Sequence, residues 1–125
     1  DIDFFKKVND SYGHLVGDCV LKCFADTLSK CIKRESDWIG RFGGEEFLIC
    51  LPGARLEKAA EIAENMRKSI EEMELLCAEK SFRITSSFGI CSVKPERGDN
   101  MESIIRRADE KLYAAKKNGR NRIEY

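Results

Sequence analysis

The stretch Gly43-Gly44-Glu45-Glu46-Phe47 stands between two apolar runs, Trp38-Ile39-Gly40-Arg41-Phe42 and Phe47-Leu48-Ile49-Cys50-Leu51. This pattern predicts a tight β-hairpin with two carboxylates at its tip. A Gly-Gly pair supplies the positive-φ conformations such a turn needs, and its lack of side chains lets a bulky anion approach the backbone. Successive strand residues face opposite ways, so Glu45 and Glu46 are placed for two different tasks. Taken alone, the stretch reads as a solvated turn with ordinary charges. Its surroundings in the chain change that reading.

At 125 residues the chain is one domain with room for a real core. Its 22 acidic and 22 basic residues leave a formal net charge of +0. That balance argues against broad electrostatic binding to nucleic acid or to an anionic membrane, so any phosphate site must be local. No apolar run approaches the length of a membrane span, and no secretory signal pattern is present. The 6 cysteines include no C-x-x-C pair, and His14 is the one histidine, so a zinc cluster is not expected. Each cysteine lies in or beside an apolar run, which predicts reduced, packed thiols and a cytoplasmic setting. Cys19 and Cys23 share a helix face, but that spacing alone does not imply a ligand pair.

Residues 1–3 read as the end of a strand, followed over 4–17 by polar turn formers around Asn9-Asp10, Gly13-His14 and Gly17. The apolar spacing of Leu21, Phe24, Ala25, Leu28 and Ile32 predicts a helix from Asp18 to about Lys33. The hairpin fills roughly 37–51, and Pro52-Gly53 ends it. A second helix is expected over about 55–75, with Leu56, Ala59, Ala60, Ala63, Met66, Ile70 and Met73 on one face. Residues 82–93 read as one strand whose Gly89 marks a bulge. Asp99 and Glu102 suggest a helix start near 100, and Asn118-Gly119 suggests its end. A short strand over 122–125 closes the chain. Strands and helices alternating around a central hairpin fit an α+β sandwich, with helices on a mostly antiparallel sheet.

The N-terminal segment carries Asp1-Ile2-Asp3-Phe4-Phe5-Lys6, Asn9-Asp10, Gly13-His14 and Gly17-Asp18. With Gly43-Gly44-Glu45-Glu46-Phe47 it resembles the GGDEF family of diguanylate cyclases, in a GGEEF variant. Ser87-Phe88-Gly89-Ile90 resembles the family's late strand. Ala108-Asp109, Leu112-Tyr113, Ala115-Lys116 and Gly119-Arg120-Asn121 resemble its final helix and exit. The resemblance spans the whole chain, 1–125, and implies a palm-like α+β domain. It also implies the joining of two GTP molecules into cyclic di-GMP with release of pyrophosphate.

That chemistry sets a 3′-hydroxyl against an α-phosphate, and such a step calls for divalent cations. The resemblance implies that Asp1, the backbone carbonyl of Ile2 and Glu46 hold Mg²⁺ or Mn²⁺, and that Glu45 helps activate the hydroxyl. Asp3 reads as structural. Phosphates also need donors. The turn after the first strand can offer backbone N–H groups at Phe4 and Phe5, the Gly43-Gly44 turn leaves an anion room, and Lys6, Lys116 and Arg120 resemble the family's phosphate-contacting cations. Locally, Lys116 reads equally as a favourable charge at a helix C-terminus. Asn9 and Asp18 are implied guanine contacts, since a carboxylate accepts from N1–H and the 2-amino group together. Judged locally, Asp18 reads equally as a helix N-cap and Asn9-Asp10 as a turn. Asp10 and His14 read as structural hydrogen-bonders.

Arg34-Glu35-Ser36-Asp37 matches the R-x-x-D pattern of the family's inhibitory product site, where cyclic di-GMP acts as feedback inhibitor. Arg can stack on a base and grip a phosphate, and Asp can accept from a base edge. Where a further arginine often contributes, this chain has Asn65, with Arg67 nearby. The family's initial helix and most of its first strand would precede Asp1. Residues 1–125 alone are therefore expected to be poorly active or inactive, and prone to aggregate or swap elements. One GTP per domain implies a two-fold homodimer, normally governed by an upstream sensory or receiver domain. No nucleic acid partner and no membrane contact by this domain are expected. The alternative is a module that binds GTP or cyclic di-GMP without turnover.

Overall fold

The computed structural model describes residues 1–125. In chain order the elements are α1 (Phe5–Tyr12), α2 (His14–Cys31), β1 (Trp38–Gly43), β2 (Glu46–Cys50), α3 (Leu56–Glu72), β3 (Leu75–Cys77), β4 (Lys80–Phe82), β5 (Phe88–Gly89), α4 (Met101–Lys117) and β6 (Ile123–Glu124). The strands form three pairs: β1–β2 and β3–β4 are antiparallel, β5–β6 parallel. An isolated antiparallel bridge joins Ile2 to Ser86. The α+β class read from the sequence holds, although the sheet is broken into short pairs. No helix is long and apolar enough to cross a membrane.

The core is built mainly on α2. Val16, Val20, Leu21, Phe24 and Leu28 recur at helical spacing and are all buried. They meet Ala63, Met66 and Ile70 of α3, Leu75 of β3, and Ile2, Phe5, Val8, Ile84 and Phe88. Fully burying a Phe or Leu contributes ~1.5–3 kcal/mol, so this face of α2 fixes the helix to α3 and β3. Phe47 of β2 packs tilted on Phe24, ring centres 5.1 Å apart, which anchors the acidic hairpin to the same core.

Several expectations needed correction. The polar tract 4–17 is helical: it forms α1 and the first turn of α2. Two buried positions, Phe5 and Val8, suffice to dock α1, and they outweigh the turn preference of Asn9-Asp10. The second long helix stops at Glu72, and a hairpin, β3–β4, follows it. Its turn residues Ala78 and Glu79 both have positive φ, at 49° and 63°, without the Gly or Asn that normally signals such a turn. The strand expected over 82–93 is divided among β4, the bridge at Ser86 and β5. Gly89 is no bulge: a Cβ there would run into the carbonyl of Ala108 and the backbone of Leu112. The glycine lets α4 lie directly on β5. The start of α4 is capped reciprocally by Asn100 and Ser103, one residue on from the expected pair. Two cysteines expected as thiols, Cys19 and Cys77, are joined in a disulfide.

Candidate active site

Residues 1–3 run antiparallel to 85–87. The amide of Asp3 donates to the Thr85 carbonyl at 3.0 Å, and the amide of Ser87 to the Asp1 carbonyl at 3.1 Å. Between these bonds, Ile2 turns its own N–H and C=O away from that neighbour, while its side chain is buried. The Ile2 carbonyl is thus uncommitted to this ladder. Asp3 is buried and accepts from Thr85 Oγ1 (2.8 Å), Ser87 Oγ (2.7 Å) and the Asn121 amide (3.0 Å). Its oxygens hold the strand to the C-terminal exit, in line with a structural part.

The Asp1 carboxylate is only 4% exposed, and its Oδ2 lies 3.0 Å from Lys116 Nζ at the end of α4. Past α4 the backbone turns left-handed at Gly119, Arg120 and Asn121 (φ 115°, 63° and 47°). That excursion sets the Arg120 guanidinium over the Phe4 ring, 4.6 Å from its centre. Phe4 is itself left-handed (φ 56°) and precedes α1. The Phe4 carbonyl already accepts from Lys7 at 2.8 Å and Val8 at 3.4 Å. The N–H groups of Phe5 and Lys6, ahead of the first helical bond, have no intrahelical partner.

In the hairpin, Trp38 faces Cys50, Arg41 faces Phe47 and Gly43 faces Glu46, with an irregularity between Arg41 and Gly43. Gly44 takes positive φ, 51°, whereas Gly43 does not. Arg41 Nε donates to the Gly44 carbonyl at 2.8 Å and braces the turn. Glu45 sits in this turn and is half-buried; Glu46 opens β2 and is exposed. So one of the two expected tip acids is in the turn and the other on the strand.

Asp18 lies inside α2, four residues past its start at His14, and is exposed. It is not an N-cap: Gly13 occupies that place. One residue earlier, Gly17 is buried, and a Cβ there would overlap Asn9 Oδ1. This glycine admits the Asn9 amide against α2, beside Asp18. A lone glycine inside a helical pattern was the available signal for such a close approach.

Away from this site, Arg34 grips Asp37 with two parallel bonds, Nη2 to Oδ1 at 2.6 Å and Nε to Oδ2 at 3.1 Å. The Asp37 side chain is 2% exposed and that of Arg34 47%. The hydrogen bond to Asp37 holds the Arg34 guanidinium above its ordinary range. Arg67 is unavailable to this pair. It donates to Glu64 (2.8 and 2.9 Å), Glu71 (2.8 Å) and Asn121 Oδ1 (2.7 Å). Asn65 is exposed on the same helix.

The family profile described as "Diguanylate cyclase, GGDEF domain" matches residues 1–122. The chain belongs to the GGDEF family. Diguanylate cyclase A of Treponema denticola is 42% identical over 123 residues, which cover 98% of this chain and 33% of that protein. The chain therefore spans about a third of that relative's length. Among solved structures, the active GGEEF domain of a diguanylate cyclase from Vibrio cholerae superposes with a TM-score of 0.88 at 38% identity, covering 99% of this chain and 77% of that one. The GGDEF domain of DgcB from Caulobacter crescentus, in complex with c-di-GMP, gives 0.85 at 30% identity, covering 99% and 72%. Cyclases of the GGDEF family are generally metal-dependent.

Proposed function

We propose that this GGDEF domain condenses two GTP molecules into cyclic di-GMP with release of pyrophosphate. What carries the reading is the first strand and the turn after it: the nearly buried Asp1 carboxylate beside Lys116, the uncommitted Ile2 carbonyl, and Arg120 drawn over Phe4, with Asn9 packed on α2 beside Asp18. A buried carboxylate, a free main-chain carbonyl and an exposed carboxylate make an all-oxygen donor set, which suits Mg²⁺ or Mn²⁺. Asp1, Ile2 and Glu46 would hold the ion, which when bound neutralises phosphate charge and acidifies the attacking hydroxyl.

The remaining work falls to the chain's own groups. The N–H groups at Phe4 and Phe5, with the open Gly43-Gly44 turn, receive phosphate oxygens. Lys6, Lys116 and Arg120 supply positive charge around them. Asn9 and Asp18 take the guanine edge, Asp18 accepting from N1–H and the 2-amino group. Glu45 helps activate the attacking 3′-hydroxyl. One GTP per domain makes a two-fold homodimer the working unit. Arg34 and Asp37 form a second site, for the product. With Arg67 engaged elsewhere and Asn65 in the neighbouring place, that site grips cyclic di-GMP through Arg34 with one cation fewer.

The test is incubation of the complete domain, with the family's initial helix and first strand in place, with GTP and Mg²⁺, products separated by chromatography. Cyclic di-GMP should appear, and Glu46→Gln should lower its rate by orders of magnitude, since metal stabilisation is worth several kcal/mol. GTP that binds but returns unchanged would make the domain a nucleotide-binding module instead.

A further inference from the structure

We propose that Cys19, Cys23 and Cys77 form a binding site for one thiophilic d10 cation, Zn²⁺ or Cu⁺, and that the Cys19–Cys77 disulfide is the oxidised, closed form of this site. Cys19 and Cys23 are one turn apart on α2, and Cys77 ends β3 across from them. Their three sulfur atoms all lie within 4.8 Å of one another. Thiolates around one zinc ion, with Zn–S near 2.3 Å, stand roughly 3.8 Å apart, so opening the disulfide leaves the sulfurs within side-chain reach of that spacing. Thiolate donors select such ions over Mg²⁺.

The cluster is also sheltered. Cys77 is buried and the two helix cysteines are half-buried. The sequence concealed it because the third sulfur comes from β3, a strand the periodicity did not reveal. Either linkage, ion or disulfide, ties α2 to β3 at the residue next to Asp18.

A phosphine reductant opens the disulfide, gaining an oxygen from water, and leaves two thiols. Three thiols then bind Zn²⁺ as thiolates and release three protons. The test uses the 125-residue chain, oxidised or phosphine-reduced, titrated with Zn²⁺ against a chromogenic chelator. One ion per chain should bind after reduction and none before. In the reduced state, Cys23→Ser should weaken binding by at least about 10–100-fold; in the oxidised state it should keep the wild-type melting temperature, which shows that it folds. Mapping alkylation by mass spectrometry gives a second readout that needs no variant. Zinc should protect Cys19, Cys23 and Cys77 and leave Cys31, Cys50 and Cys91 reactive. Absence of stoichiometric binding after reduction, undiminished binding in Cys23→Ser, or protection of the other three cysteines instead would overturn the proposal.

Discussion

Lys116 Nζ lies 3.0 Å from Oδ2 of Asp1 and is the one cation paired with that nearly buried carboxylate. The last turn of α4 thus supplies the charge that lets an acid sit at the end of the first strand. Lys116→Met should lower stability by about 1–3 kcal/mol, less than for a fully enclosed pair because the lysine is 33% exposed. A divalent cation that binds the folded chain should return part of the loss. Thermal unfolding with and without Mg²⁺ checks both. An unchanged melting temperature would mark the pair as an incidental surface contact.

Gly17→Ala separates two effects. Helix propensity alone favours alanine by about 1 kcal/mol. The new methyl meets Asn9 Oδ1, the end of a side chain that can swing aside. Stability should therefore change by no more than about 1 kcal/mol, while GTP binding weakens at least ~10-fold, or about 1.4 kcal/mol. Calorimetry with a non-reactive GTP analogue, beside a melting curve, reads the two separately. Full affinity in the variant would remove Asn9 from the nucleotide site.

Asp18 is exposed within α2 and caps nothing. Asp18→Ser should leave stability within about 0.5 kcal/mol. Discrimination between GTP and ATP should fall by about 1–3 kcal/mol, the cost of mismatched polar groups. Competition binding of the two nucleotides decides it. A lowered melting temperature with preserved GTP preference would make Asp18 a structural residue.

Arg67 joins α3 to the C-terminal exit, and its side chain is only 12% exposed. It bonds Glu64, Glu71 and Asn121, while Asn121 bonds Asp3 through its amide. Glu64 is held below the ordinary carboxylate range chiefly by Arg67, and Glu71 by Asn121 and then Arg67. A depressed folded-state pKa stabilises the native chain above the unfolded value, and this contribution disappears as pH falls through the folded one. Wild-type stability should therefore drop on acidification below about pH 4.5. Arg67→Met should cost about 1–3 kcal/mol at neutral pH and flatten that acid limb. Urea unfolding across pH 3–7 measures both, and an unaltered acid limb would show that the network does not couple to folding.

The parts legible in the sequence were those written in local spacing. The helices α2, α3 and α4 appear as apolar stripes with a period near 3.6, and the acidic hairpin as two apolar runs around Gly-Gly. Hydrophobic spacing reports which backbone geometry can bury a face, so it finds long elements and finds short ones poorly. For that reason α1, with two buried residues, and the β3–β4 hairpin, with Ala78-Glu79 in its turn, escaped it. The motif residues were also visible one by one, each with its alternatives, but the choice between those alternatives was not. Asp18 read as cap or base reader until α2 was seen to begin at His14. Tertiary structure alone decided the contacts between distant segments: Asp1 with Lys116, Asp3 with Ser87 and Asn121, Arg67 with Asn121, and Cys19 with Cys77. Each depends on where packed elements bring their side chains, and no local signal along the chain encodes a distance of that kind.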